Sequence, residues 1–158
     1  MNTIQVEGRN FRYICKINPE LIEGKINVYN PHIKYRNLRN KKLHEYGDKE
    51  FCKFSIPLDH KQQGLYLLIV NGSIKYIGIC KNLSNRYNNG YGRISPANCY
   101  VGGRRTNCRI NNFIYEECKA GNKVDLFFHE MRNPREFELN LIKKFGGPDL
   151  WNVSGNAH

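Results

Sequence analysis

No two of the six cysteines stand at C-x-x-C spacing, and none joins a histidine in a zinc-ligand pattern. Buried or half-buried free thiols are the expected state, with a zinc site among Cys99, Cys108 and Cys118 as the lesser alternative. No apolar run is long enough to span a bilayer, and the first ten residues, MNTIQVEGRN, lack the apolar centre of a secretory signal. The expectation is a cytoplasmic protein with reduced thiols and no membrane partner. Acid is scarce: 14 Asp and Glu stand against 25 Lys and Arg, a formal charge of +11. Such a field favours a polyanion, and nucleic acid is a better fit than an anionic membrane surface.

The 158 residues suffice for a proper core and favour one domain, with or without an appendage. Leu65 to Val70 and Ile74 to Ile79 are apolar, β-branched-rich runs separated by Asn71, Gly72 and Ser73, which predicts a β-hairpin. Asn82 is placed to cap a helix that follows, with Arg86 about one turn in. Asn88 to Gly92 is expected to break that helix. A second helix is predicted over Arg109 to Lys119 and a third strand over Val124 to His129. The last helix has Asn133 as expected N-cap, Pro134 at its first position and Glu136 completing a capping box, and it ends at Gly146-Gly147-Pro148. Glu138 falls beside the apolar stripe of Phe137, Leu141 and Phe145, where a carboxylate is costly without a cation nearby.

The first 60 residues read as a basic, β-rich N-terminal extension, either packed on the core or set off from it. Residues 1–10 are polar and expected to fray. Short strands are predicted over Phe11 to Ile17, Ile26 to Tyr29 and Phe51 to Ile56. The link Asp59 to Gln63 marks the boundary, leaving 61–158 as the main domain. Between these strands Lys34, Arg36, Arg39, Lys41 and Lys42 lie within nine residues with no acid, and Tyr35 among them. This is either a phosphate-tracking arm or a solvated basic loop. Gly102-Gly103-Arg104-Arg105 is a second candidate phosphate contact, with Arg109 just beyond it, or else a flexible surface loop.

Two landmarks of the hairpin carry a resemblance. Gly64-Leu65-Tyr66 on one strand and Tyr76-Ile77-Gly78 on the other, followed by Lys81-Asn82-Leu83-Ser84-Asn85-Arg86 and later by Glu138 and Trp151-Asn152, resemble the GIY-YIG nuclease superfamily over about residues 62–153. The resemblance implies an α+β fold: a small central antiparallel sheet of about three strands flanked by helices. It also implies a divalent-metal-dependent endonuclease that hydrolyses DNA. Tyr66 would be the general base, Tyr76 its assistant, Arg86 the group on the scissile phosphate, and Glu138 the holder of one Mg²⁺ or Mn²⁺. Gly64, Gly78 and Asn152 would be structural, the last tying the tail to the active-site helix. Relatives often carry a lysine directly after YIG; here Ile79 stands there and Lys81 comes two later. Many have a tyrosine or histidine four residues after the arginine; here that is Gly90, and Tyr91 follows. Lys81 and Tyr91 are therefore additional candidates. His129 reads as a packing or edge residue.

The chemistry needs a base, neutralisation of phosphate oxygens and a stabilised leaving oxygen. A phenol ionises near pH 10 in water, so a tyrosine base requires a cation close by. One carboxylate fixes Mg²⁺ weakly, so the ion would keep waters and bind chiefly with substrate. Alternatives stay open: a nucleic-acid-binding module without turnover, or an enzyme directed at RNA. A compact stand-alone enzyme of restriction or defence type, monomer or homodimer, is the favoured expectation.

Overall fold

A computed structural model describes residues 2–37 and 39–153; Leu38, inside the basic stretch, and residues 154–158 lie outside that description. In chain order the strands are β1 (Thr3–Val6), β2 (Arg9–Lys16), β3 (Leu21–Ile22), β4 (Lys25–Ile26), β5 (Gly64–Val70) and β6 (Ser73–Cys80). Helix α1 (Leu83–Arg86) runs into a π-helical turn (Tyr87–Tyr91), and α2 (Arg105–Lys119), β7 (Val124–Glu130) and α3 (Arg135–Phe145) complete the chain. The protein is α+β. Its contacts divide it into two units, and the division does not fall at residue 60.

The first unit, Met1–Ile17, Ile56–Arg86 and Asn122–His158, is built on an antiparallel sheet ordered β1-β2-β7-β5-β6. Five strands replace the expected three because residues 3–16 form a hairpin that adds to the edge of β7. Polar composition suggested fraying there, but Glu7 and Gly8 turn at φ 50° and 75°, and the chain folds back on itself. Two consecutive positive φ values give the type I′ turn that matches strand twist. Asn71 and Gly72 make the same turn between β5 and β6, at φ 49° and 87°.

Strand β5 is central, hydrogen-bonded on both sides, and every one of its residues is buried. That explains why it reads as a continuous apolar run with no alternation. Alternation in space persists: Leu65, Leu67 and Ile69 face one side with Ile77, Phe127 and Phe11, where Leu141 of α3 and Leu150 pack. Tyr66 and Leu68 face the other side with Phe128, Leu126 and, on β6, Gly78 and Tyr76.

Strand β6 is the sheet edge, and the tail closes it. The Asn152 side chain accepts from the Ile77 N–H at 3.0 Å and donates to the Ile77 carbonyl at 2.7 Å, a strand-like pairing made by an amide. The Trp151 N–H donates to the Lys75 carbonyl at 2.6 Å. Lys75 is the extra residue of a β-bulge, since Leu68 pairs with Tyr76 and Ile69 with Ile74. The tail thus ties to the strand between Tyr76 and Gly78, whereas the sequence suggested the helix.

The second unit, Asn18–Ser55 with Tyr87–Gly121, holds α2, the π turn and mostly irregular chain. The strands expected over Ile26 to Tyr29 and Phe51 to Ile56 reduce to the two-residue pair β3–β4 and a single bridge between Tyr29 and Phe51. Side-chain amides do the work that a sheet would have done. Buried Asn111 accepts from the Cys52 N–H at 3.0 Å and donates to the carbonyls of Cys52 and Tyr91, each at 2.7 Å. Asn112 donates to the Glu50 carbonyl at 2.9 Å. A core of Phe51, Ile94, Cys99, Tyr100 and Cys108, with Tyr29, Tyr35 and Tyr46 against it, fills the interior.

Candidate functional site

Tyr66 lies directly opposite Gly78 in the β5–β6 pairing, and a Cβ on Gly78 would overlap the Tyr66 phenol ring and hydroxyl. The glycine of the second landmark is therefore the space in which the first tyrosine lies. Tyr76 stands one pair along on the same face, its ring centroid 6.1 Å from that of Tyr66 at an interplanar angle of 47°. Both rings are fully buried. Gly64 answers a different constraint: a Cβ there would overlap the His129 carbonyl and crowd the Phe128 ring at 2.9 Å. The first glycine lets β5 and β7 pair; the second makes room for a phenol.

Gly64, Cys80 and Glu130 share one row at one end of the sheet. Helix α1 begins just past Cys80, capped as expected: the Asn82 side chain accepts from the Asn85 N–H at 2.9 Å. Arg86 ends α1, and its charge opposes the burial that pushes the Cys80 thiol up to about 11. From the same end Met131 donates its N–H to the Gln63 carbonyl at 3.0 Å, and α3 starts four residues later. Tyr66, Arg86 and Glu138 are thus all carried by elements that begin or end at this margin of the sheet. Lys81, between β6 and α1, is exposed.

Glu138 is fully buried in the first turn of α3, which packs against β6. Its cationic neighbour is Arg135, whose Nη1 stands 3.4 Å from Oε1. The capping box expected at the start of α3 does not form. Asn133 takes φ 50° and the helix begins at Arg135, with the Glu138 N–H donating to the Pro134 carbonyl at 2.9 Å. Glu138 therefore lies closer to the helix start than its sequence position suggested. An acidic group there is favoured by the helix dipole as well as by Arg135. Glu138 is the hard oxygen donor that would hold a divalent ion if one binds here.

The remaining candidates lie in the second unit. Tyr91 is buried, its ring 5.1 Å from that of Tyr87 and nearly perpendicular to it. The helix expected to break at Asn88 instead widens into the π turn, closed by a 2.7 Å bond from the Gly92 N–H to the Tyr87 carbonyl. A π turn holds one residue more than an α turn, and it falls where Tyr91 is displaced by one position from Gly90. Lys34, Arg36, Arg39, Lys41, Lys42 and Arg104 are exposed. Arg105 is engaged within the protein, in an ion pair with Glu45 and 5.2 Å above the Tyr46 ring. Arg109 is only 3 % exposed, and its Nε meets no acceptor among the described residues. Arg109 is thus withdrawn from the outer basic surface, whereas Arg105 is exposed but already paired. Gly103 packs its backbone on the Ala97 and Asn98 carbonyls, so its missing side chain serves the fold.

Among the described residues no three His, Cys, Asp or Glu side chains gather as a metal-holding group. Cys99 and Cys108 form a coupled buried pair: the hydrogen bond between them lowers Cys99 and raises Cys108, and burial adds to the rise. Cys118 is felt by Cys52 instead. His129 accepts or donates at the Asn10 carbonyl, 2.9 Å away, and its ring lies 5.4 Å from that of Phe11. No described helix is long and apolar enough to cross a membrane.

Compared with known proteins, the chain matches no family model, no curated protein and no solved structure. The resemblance to GIY-YIG nucleases rests on the residues quoted above alone.

Proposed function

We propose that the protein is a divalent-metal-dependent endonuclease of GIY-YIG type that hydrolyses phosphodiester bonds in DNA. The observation that carries this reading is the Tyr66 phenol seated over Gly78 beside Tyr76; α1, which ends in Arg86, and α3, whose Leu141 packs on the opposite face of the sheet and which carries the buried Glu138, start from the same margin.

Tyr66 is the general base, taking the proton of the attacking water at its hydroxyl oxygen. Tyr76, on the same face, assists in orienting that water. Burial fixes both rings, so little rearrangement is needed when the reaction occurs. The Arg86 guanidinium faces the nonbridging oxygens, where two parallel N–H groups match phosphate geometry. Glu138 would hold the divalent ion, which when bound supplies charge to the phosphate and leaving oxygens. Arg135 orients the Glu138 carboxylate.

A second reading, a DNA-binding module without turnover, is favoured by Ile79 in the place where relatives often carry lysine. Supercoiled plasmid with Mg²⁺ or Mn²⁺ separates the two. Conversion to nicked or linear forms, lost in Tyr66→Phe and Glu138→Ala, supports hydrolysis. Cleavage that persists in Glu138→Ala overturns the metal role, and no cleavage with either metal favours the module.

A further inference from the structure

Most of the exposed cations of the second unit come from two acid-free stretches. No Asp or Glu occurs between Glu23 and Glu45, or between Asp59 and Glu116. Folding joins parts of these stretches along one seam. The Val101 N–H donates to the Lys42 carbonyl at 2.8 Å, Leu43 bridges Tyr100, and the His44 N–H donates to the Cys99 carbonyl at 3.1 Å. The Tyr35 ring lies 4.8 Å from that of Tyr100, whose hydroxyl donates to the His32 carbonyl at 3.1 Å. Arg105 fastens the far end of the seam to Glu45. The half-buried Tyr35 ring thereby holds the start of the basic segment to the seam.

The basic segment itself is shaped. Asn37 closes a turn by accepting from the Lys41 N–H at 2.8 Å and donating to the Lys41 carbonyl at 2.6 Å, and Asn40 turns at φ 49°. Lys34, Arg36, Arg39, Lys41 and Lys42 project from this turn and its approaches, and Arg104 follows Val101 across the seam. Among the described residues none of the six meets an acidic side chain, although Glu45 stands close by in sequence and is taken by Arg105. With Glu45 paired to Arg105, the six cations stay available to an external polyanion.

We infer that this seam is a DNA-backbone docking surface, distinct from the residues proposed for hydrolysis and sufficient for binding without turnover. Phosphates spaced along a duplex suit separate cations on a held loop, and contacts of this kind carry affinity without base readout. A membrane surface fits less well. The apolar exposure here is scattered, Ile33 at 73 % and Val101 at 58 %, on short irregular segments. An amphipathic helix anchored at a membrane interface presents a continuous apolar face, which these segments do not offer.

The test is fluorescence anisotropy of a short labelled duplex in EDTA, so that hydrolysis plays no part, with salt varied from about 50 to about 300 mM. A variant carrying Lys34→Gln, Arg36→Gln, Lys42→Gln and Arg104→Gln is compared with one carrying Lys16→Gln, Lys61→Gln, Arg132→Gln and Lys143→Gln, which removes equal charge from the first unit. The seam variant is expected to lose on the order of 100-fold in affinity at about 0.1 M salt, and the salt slope to fall by about 3. The control is expected to change less than about threefold. Circular dichroism and melting confirm that both variants are folded. Equal losses in the two variants, or none in the seam variant, overturn the inference. So does tighter binding to phosphatidylserine vesicles than to DNA. Glu138→Ala is expected to bind the duplex as the parent does, so failure to cut plasmid would leave this surface standing and remove only the hydrolytic reading.

Discussion

Two glycines in the hairpin make opposite demands, and substitution separates them. At Gly64 an added Cβ meets the His129 carbonyl, a backbone atom in a paired strand. Gly64→Ala is expected to force β5 from β7 and cost about 1–3 kcal/mol, seen as a lower urea midpoint. At Gly78 it meets the far end of a side chain, the Tyr66 phenol. Gly78→Ala is expected to displace that ring, lowering cleavage at least about tenfold while the midpoint changes less than for Gly64→Ala. Equal unfolding by both would mean that Gly78 serves only the sheet. Asn152→Ala removes two hydrogen bonds to the Ile77 backbone, and a loss of about 1–3 kcal/mol is expected by denaturant titration. Arg109 is a buried cation whose Nε meets no acceptor among the described residues, so Arg109→Met, which keeps the stem, is expected to hold or raise the melting temperature.

Among the elements, β5 bears the largest share of the first unit's packing, because its side chains are buried on both faces of the sheet. Leu67→Ala is expected to cost about 2–5 kcal/mol, measured by urea unfolding. The edge strand β6 relies on the tail for closure, and the bulge at Lys75 turns out the carbonyl that Trp151 takes. In the second unit no such sheet exists, and helix α2 holds irregular chain through Asn111 and Asn112. Amide pairs of this kind satisfy backbone groups that burial would otherwise leave costly.

At the scale of the whole molecule, buried thiols set an alkaline limit. Burial raises Cys52 from 9.0 to about 12. The same cause raises Cys15 and Cys80 from 9.0 to about 11. The folded protein keeps these protons where the unfolded chain has released them. The unfolded state therefore binds fewer protons above pH about 9, and stability falls as pH rises from there through the folded values. Melting temperature is expected to stay level from about pH 7 to 8.5 and to drop above about 9, with the drop reduced in Cys52→Ala relative to its own neutral value.

Sequence alone determined the central hairpin, its turn, the Asn82 cap, helix α2 in most of its length, strand β7 and the existence of α3. Each rests on local signals: apolar periodicity, Asn-Gly turn chemistry, and side chains that bond their own backbone. It also determined the basic charge and the order of the four landmarks. Tertiary structure decided the rest. Strand β2 was legible over Phe11 to Ile17, but β1 and the Glu-Gly turn have little local signature, and the hairpin is stable because β7 offers an open edge. The seating of Tyr66 over Gly78, the burial of Glu138 beside Arg135, and the seam joining Lys42 to Val101 pair residues far apart in the chain. Contacts of that kind form only when other elements have fixed the distance between them, so no window of sequence contains the forces that make them.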